Sequence, residues 1–496
     1  MSTTNKRQTE ELQEYIDGVL NISGSESSVD AVTEAGRKKK LFKDESGINF
    51  GGIKSAAAIA LHMHQPLIPA GGGDLRTADI ISNLKYMMDN QGTGDNHNAP
   101  VFHWCYKRIG EFVPQLVNEG KNPRVMLEYS GTLFHGLRHM GLHDVFDSLK
   151  FVTQDRSMRK CVEWLGCPWG HAVAPSTPSQ DFRLHVKAWQ HHFAAIFGWD
   201  ALERVRGFSP SEMALPNHPD VAYEYIKTLV DCGFQWVMVQ EHSVERPENG
   251  YGPEKKHVPH RLVCKNSKGD EVSIIAIIKT QGSDTKLVAQ MQPYYEAKSI
   301  GRCELAGKMI PPVVTQIADG ENGGVMMNEF PPKFMEVSRE STGSETPMIN
   351  ISEYLELLFD SGIKESDLPV LQPIFQKRIW DVFKPGDGPE KMTKIIDEIK
   401  KSDHQFHMDG GSWTNNISWV HGYENVLDPM QKLSALFNEK VIEKNIPTND
   451  QRFRKALFHL MISQTSCFRY WGQGSWTDYA IEICRRATDI INYDLK

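Results

Sequence analysis

The sequence predicts an α/β protein built on a parallel sheet, with a closed (β/α) barrel as the favoured form and a helical region behind it. Six strand candidates alternate with helical stretches up to residue 335, at 55–64, 124–130, 205–209, 235–242, 272–278 and 313–319. No glycine-rich dinucleotide loop follows any of these strands, which favours the barrel over a doubly wound sheet, the remaining alternative. After residue 335 the apolar spacing is helical.

The first 50 residues differ from the rest of the chain because they are rich in Ser, Thr, Glu and Lys. Leu12, Ile16 and Leu20 fall at helical spacing and predict a short amphipathic helix. The remaining composition is too polar to bury a core. Residues 1–50 are therefore predicted to be a flexible polar tail, and the basic run at 37–40 is interpreted as a solvated charge cluster rather than a binding patch.

Residues 51–335 are predicted to form the barrel domain. The clearest of its helices spans 220–232 and ends at Gly233. The segment 329–345, which contains two prolines and several Ser and Gly residues, is predicted to be a linker or a surface loop. Residues 336–496 are predicted to form a C-terminal helical domain with helices at 351–361, 391–401, 429–445, 451–464 and 478–495.

Composition excludes several classes of function. The 496 residues carry 55 basic and 63 acidic side chains, a net charge of −8, which argues against nucleic acid as a partner. The longest apolar stretch, near residues 56–61, is far shorter than the roughly 20 residues of a membrane span. Residues 1–10 do not resemble a secretory signal, so a cytoplasmic location is expected. None of the eight cysteines forms a CxxC pair, so neither a zinc ribbon nor a redox motif is predicted.

Two histidines end the first strand. Side chains alternate along a strand, so His62 and His64 share a face with small alanines, while the larger Ile59 and Leu61 face the other way. The alanine face suits the barrel axis. Two imidazoles at its end could bind a divalent metal or donate hydrogen bonds to a polar substrate, and one of them could be a core histidine.

Carboxylates follow three other strands. Glu128 ends the second strand. Its carboxylate could equally be a structural hydrogen-bond acceptor or a ligand-binding group. Glu212 lies in a turn between two prolines, and Asp319 ends a strand just before Gly320. Two carboxylates from different strand ends, with no lysine beside either, are typical of glycoside hydrolysis.

These segments, in this order, resemble the signature regions of glycoside hydrolase family 57, the α-amylase and 4-α-glucanotransferase family. The matching stretches are LHMHQP at 61–66, LEYSG at 127–131, GFSPSEMALP at 207–216, DGENGG at 319–324 and a diverged TNNISWVHG at 414–422. The resemblance implies an incomplete (β/α) barrel of seven strands, completed at its active site by the helical region. It implies Glu212 as nucleophile and Asp319 as general acid/base, in a retaining reaction on an α-glucan or oligosaccharide. No cofactor or metal is implied.

The sequence departs from the family pattern around the sugar-binding positions. Ser209, Pro210 and Ser211 stand where bulky residues are usual, Gly323 replaces an aromatic residue, and Val420 is inserted before a histidine. The catalytic pair matches better than the binding residues, so hydrolysis and transglycosylation both stay open. Beyond His62, His64 and Glu128, substrate binding is expected from His171, His242, Trp413, Asn416, Trp419 and His421, for several of which a core position is the alternative.

Two other functions remain open. In a metal-dependent hydrolase or deacetylase on a similar barrel, His62 and His64 would bind zinc and Asp319 would be a ligand or base. That hypothesis leaves Glu212 without a role. In a catalytically impaired carbohydrate-binding protein, the altered sugar-binding positions are explained but the retained carboxylates are not. Oligomeric state is not predicted.

Overall fold

The computed structural model describes residues 11–280, 285–321, 327–413, 419–470 and 474–495. The strands in these ranges are β1 (Tyr15–Ile16), β2 (Val19–Leu20), β3 (Ala56–Met63), β4 (Leu67–Gly71), β5 (Asp79–Ser82), β6 (Val125–Tyr129), β7 (Val162–Gly166), β8 (Gly207–Phe208), β9 (Trp236–Gln240), β10 (Val244–Glu245), β11 (His260–Lys265), β12 (Glu271–Lys279), β13 (Cys303–Leu305), β14 (Lys308–Ile310), β15 (Val313–Asp319) and β16 (Val370–Pro373).

The α-helices in the same ranges are α1 (Glu26–Arg37), α2 (Lys43–Ser46), α3 (Asn83–Asp89), α4 (Ala99–Lys107), α5 (Ile109–Asn118), α6 (Gly131–His139), α7 (His143–Gln154), α8 (Ser179–Phe197), α9 (Trp199–Leu202), α10 (Pro219–Asp231), α11 (Thr285–Ala289), α12 (Gln292–Ser299), α13 (Phe330–Ser341), α14 (Ile351–Asp360), α15 (Gln376–Trp380), α16 (Gly388–Ser402), α17 (Glu424–Phe437), α18 (Gln451–Ser463), α19 (Cys467–Tyr470) and α20 (Ser475–Asp489). None of the helices in these ranges is both long enough and apolar enough to cross a membrane.

Seven parallel strands close into a barrel in the order β3, β6, β7, β8, β9, β12, β15 and back to β3. The predicted seven-stranded barrel is thus confirmed, and each of the six predicted strands is present. Among the seven barrel strands, the one that the sequence did not predict is β7, where Glu163 interrupts a short apolar run. Outside the barrel, β11 pairs antiparallel with β12 and leads to β16 and β10.

The two faces of strand β3 differ in side-chain size, and the small inner face leaves room for the barrel interior. Ile59, Leu61 and Met63 pack with the outer helices, whereas Ala56, Ala58 and Ala60 belong to the interior cluster. Small residues are needed on that inner face because large side chains from other strands fill the interior, among them Trp236 and Met238. At Gly207 a Cβ atom would lie 2.1 Å from the Trp236 ring, so only glycine leaves room for that indole.

Helix α14 closes the amino-terminal end of the barrel. Tyr354, Leu355 and Leu358 join the interior cluster. The backbone N–H and hydroxyl of Ser352 donate to the buried Glu163 carboxyl group. Arg124 and Glu353 form a buried ion pair nearby, at 2.7 and 2.9 Å. The polar groups that a plugged barrel end would otherwise leave unpaired are thereby satisfied.

The predicted flexible tail is wrong for residues 11–50. No helix forms near residues 12–20; instead β1 and β2 make a hairpin whose turn, Asp17-Gly18, has positive φ at both residues, the type that two-residue hairpins favour. Leu20 and Ile22 are buried, and α1 packs on α8. The few apolar residues suffice because they dock on an existing core rather than forming their own.

The predicted linker at 329–345 is also wrong. Residues 330–341 form α13, whose Pro331 and Pro332 lie in the first turn, where proline costs no hydrogen bond. Phe330 and Phe334 are fully buried. The C-terminal helices are present as predicted, and α10 ends at Asp231, two residues before Gly233, whose φ is 90°. The domain boundaries near residues 50 and 335 stay predictions.

Candidate active site

The carboxyl ends of parallel barrel strands share one mouth. There β15, β3 and β6 lie side by side, and their backbone register places Asp319 next to His62 and His62 next to Glu128. One continuous row of polar side chains therefore crosses three strand ends. This arrangement agrees with the sequence prediction that His62 and the small alanines of the first strand face the barrel axis.

Half-buried His62 pairs with buried Glu128, and the imidazole Nδ1 donates to Glu128 Oε2. Burial opposes protonation of His62, but the charge and hydrogen bond of Glu128, together with the charge of Asp319, outweigh it and raise its pKa to about 10. At neutral pH His62 is therefore an imidazolium ion. Glu128 serves mainly to hold that cation.

Two further histidine rings stack on this cation. The His171 ring centroid lies 4.6 Å from that of His62 and 4.2 Å from that of His64. Burial and the neighbouring imidazolium lower the pKa of both rings well below the ordinary value, so both are neutral. Their Nδ1 atoms lie 2.8 Å from the hydroxyls of Ser130 and Ser466, respectively. His64 Nε2 also lies 3.3 Å from the Thr465 hydroxyl and 3.4 Å from Cys467 Sγ, so both of its ring nitrogens have protein partners.

Glu212 lies in a strained 3₁₀ turn, Ser211–Met213, with a φ of 58°. A left-handed backbone costs a residue other than glycine about 1 kcal/mol or more, and such strain is common at functional sites. Trp413 holds the residue twice: its Nε1 donates to Glu212 Oε2 at 2.7 Å, and its backbone N–H donates to the Glu212 carbonyl at 3.1 Å. The sequence suggested Trp413 as a sugar-stacking residue, but its contact is with the carboxylate.

Burial raises the pKa of Glu212, and the charge of Asp319 adds to this effect. Hydrogen bonds from Ser466 and Trp413 and the charge of His62 oppose it. The two carboxyl groups thus interact electrostatically across the mouth. The donors that favour ionised Glu212 come from Trp413 and Ser466, not from the histidine strand as the sequence suggested.

Asp319 is exposed at the mouth, unlike Glu212. The surrounding protein atoms and the Glu128 charge nevertheless raise its pKa, while His62 lowers it. We expect the upward shift to be moderate as long as solvent reaches the carboxyl group, and to grow when a ligand excludes that solvent.

Three functional candidates escaped the sequence reasoning. Glu321 Oε1 accepts the His64 backbone N–H at 3.1 Å, its Oε2 is buried without a partner, and burial raises its pKa to about 8. Ser466 and the buried Arg469 come from the chain after α18, and the Arg469 charge acts on Glu212. The position of Glu321 two residues beyond Asp319 was a usable signal, whereas nothing in the segment 464–470 matched a motif.

The remaining predicted ligands fall in different places. His242 Nε2 donates to the Ser412 carbonyl at 2.6 Å. Trp419 is wrong as a stacking residue, because its ring is 1% exposed and packs on Val173 and Ala214. His421 is 71% exposed and pairs with Asp409. Asn416 lies outside the described residues.

Metal ligation was the alternative role of the paired histidines. Within the described ranges, no group of three or more His, Cys, Asp or Glu side chains is arranged to hold a metal ion. The His62 Nδ1 is already engaged by Glu128, and His64 Nδ1 by Ser130. The paired histidines of this mouth are therefore built into a hydrogen-bonded stack.

Comparison with solved structures identifies the fold of this chain. No family model matches the chain, and no curated protein matches its sequence. The structure is similar to 4-alpha-glucanotransferase from Thermococcus litoralis (15% identity, TM-score 0.50, covering 83% of this chain and 55% of that one). It is also similar to a GH57-type branching enzyme from Pyrococcus horikoshii (10% identity, TM-score 0.50, covering 88% of this chain and 94% of that one). A third similar structure is an exo-type maltose-forming amylase from Pyrococcus sp. ST04 (11% identity, TM-score 0.50, covering 88% of this chain and 73% of that one). The chain spans about half the length of the glucanotransferase. It has a fold like that of glycoside hydrolase family 57.

Proposed function

We propose that the chain is a retaining glycoside hydrolase or glucanotransferase acting on α-glucans, with Glu212 as nucleophile and Asp319 as general acid/base. The observation that carries the proposal is the pair of interacting carboxyl groups at one barrel mouth, one half-buried and held by hydrogen bonds, the other exposed to solvent. Retaining glycosidases need this asymmetry, since one group attacks and the other exchanges protons.

In the first step, protonated Asp319 donates its proton to the glycosidic oxygen while ionised Glu212 attacks the anomeric carbon. In the second step, the hydroxyl of water or of a second sugar attacks the anomeric carbon while Asp319 accepts its proton, and the bond between that carbon and Glu212 breaks. The Trp413 indole and Ser466 hold the Glu212 carboxylate in place. The His62 imidazolium lies where it can stabilise negative charge on either carboxyl group.

The three histidines are proposed to bind the innermost sugar. His171 is neutral and is oriented through Nδ1 by the Ser466 hydroxyl, so its other ring nitrogen can exchange a hydrogen bond with a sugar hydroxyl. His64 is oriented by Ser130, and a sugar hydroxyl would have to replace Thr465 or Cys467 at its Nε2. The solved structures with this fold are by name a 4-alpha-glucanotransferase, a branching enzyme and a maltose-forming amylase. Those names favour an α-glucan as substrate here.

Incubation with a maltooligosaccharide of defined length tests the proposal. Shorter products alone indicate hydrolysis, and products longer than the input indicate transfer. Glu212→Gln should abolish both, whereas Glu304→Gln, an exposed glutamate on β13, should change neither. Unchanged oligosaccharide across a panel of α-glucans would contradict the proposal.

A further inference from the structure

A second polar group lies inside the barrel, apart from the histidine stack. Lys279 is the last residue of β12 and is in phase with Ile275 and Ile277, which belong to the interior cluster. Its side chain therefore points inward at the end of the barrel where the catalytic candidates lie. It is 2% exposed, and its Nζ has no hydrogen-bond partner among the described residues. Burying an unpaired ammonium group is costly, so the position needs an explanation.

Its neighbours also present unpaired polar atoms. Lys279 pairs in register with Gln240 on β9 and with Thr315 on β15, and both are in phase with interior residues. Gln240 Oε1 and Thr315 Oγ1 are buried without a partner. Three adjacent strands thus each direct one polar group that lacks a hydrogen-bond partner into the barrel interior.

His242 extends this group. Its Nε2 faces the Ser412 carbonyl, which can only accept, so Nε2 carries the proton and Nδ1 of the neutral ring is an acceptor. That Nδ1 is buried without a partner, and the Lys279 charge acts on this ring. The group therefore combines one cation and one hydroxyl with two acceptors.

We propose that Lys279, Gln240, Thr315 and His242 form a subsite that binds an anionic substituent, a carboxylate or a phosphate ester, on the glycan. Lys279 and the Thr315 hydroxyl donate to the anion, while sugar hydroxyls donate to Gln240 Oε1 and His242 Nδ1. The inference rests on the proposed function, since it assumes that the glycan enters this mouth.

An anion fits better than a neutral sugar because the protein supplies Lys279 with no counter-charge. Burial alone lowers the pKa of Lys279, to about 8, and no carboxylate counteracts it. At neutral pH the amine is therefore still mostly protonated. A neutral hydroxyl could accept its hydrogen bond but would leave the buried charge uncompensated.

The test measures binding by calorimetry in the Glu212→Gln background, which prevents turnover. The probes are maltotriose, maltotriose with one primary hydroxyl oxidised to a carboxylate, and maltotriose 6-phosphate. We expect at least one anionic probe to bind about tenfold or more tightly than maltotriose. The carboxylate and phosphate arms identify which anion the subsite prefers.

Lys279→Met should abolish this preference, whereas Lys265→Met, an exposed lysine on β11, should retain it. Lys279→Met removes an unpaired buried charge, so its melting temperature should equal or exceed that of the parent protein. Should it nevertheless fail to fold, Thr315→Val provides the second variant, with a reduced preference expected. Equal binding of neutral and anionic probes, or a preference that survives Lys279→Met, would overturn the inference. A clear anion preference in a wild-type protein that turns over no glucan would support the subsite and contradict the proposed catalytic function.

Discussion

Glu163 at the plugged end of the barrel should make folding stability depend on pH. Burial raises the pKa of this carboxyl group from the ordinary 4.5 to about 7, although Ser352 donates to it. The folded protein therefore binds a proton there more tightly than the unfolded chain, and this contribution to stability is complete below pH 4.5. It is lost as the pH rises through 7.

The size of the effect follows from the two pKa values. A rise in pKa from 4.5 to about 7 corresponds to about 3 kcal/mol at most, and about 2.5 kcal/mol of it is lost between pH 5 and pH 8. Glu163→Gln keeps the shape of the side chain but cannot ionise. It retains one acceptor for Ser352, so its intrinsic cost should be about 1 kcal/mol.

Urea unfolding of the wild type and Glu163→Gln from pH 5 to pH 8 measures this. The variant should gain about 2.5 kcal/mol relative to the wild type over that range and become the more stable of the two at pH 8. Other titrating groups cancel in the difference between the two proteins. A difference that does not change with pH would refute the reasoning, because it would mean that Glu163 does not titrate with a raised pKa.

Three other predictions concern the site and its supports. Trp413→Phe removes a hydrogen bond to the Glu212 carboxylate and should lower kcat about ten- to hundredfold in steady-state assays, with little change in melting temperature; an unchanged kcat would separate Trp413 from catalysis. Deleting residues 1–22 exposes the surface that Leu20 and Ile22 cover and should cost about 3 kcal/mol or more, seen as a lower melting temperature; full stability would show that the hairpin does not dock. Asp319→Asn should fail on glucans but recover on a glycosyl fluoride, whose leaving group needs no protonation; equal loss on both substrates would contradict its role as acid.

Much of this architecture could be predicted from the sequence because its signals are local. The alternation of β3 identified which side chains face the barrel axis, and the strand ends identified His62, Glu128 and Asp319 as site candidates, which the strand register then places side by side. Strand β7 was missed because a buried Glu163 interrupts its apolar pattern. That glutamate is tolerated only because a helix 189 residues later supplies its hydrogen bonds.

The supports of the site could not be predicted, for the same reason. Trp413 and Ser466 reach Glu212 and His171 from chain segments about 200 and 295 residues away in sequence, and no local pattern encodes those contacts. The N-terminal hairpin was taken for a helix because Leu12, Ile16 and Leu20 fit a helical period. The Asp17-Gly18 turn was the competing signal, because both residues adopt the positive φ that a two-residue hairpin turn requires.

The central claim, a Glu212 nucleophile with an Asp319 acid/base, is tested most directly by the anomeric configuration of the first product. Proton NMR during early turnover of a maltooligosaccharide should show the α-anomer formed first, followed by slow mutarotation, because two successive displacements retain configuration. Glu212→Gln should form no product on the same time scale. Initial formation of the β-anomer would contradict the account, since it requires a single displacement by water and leaves no nucleophilic role for Glu212.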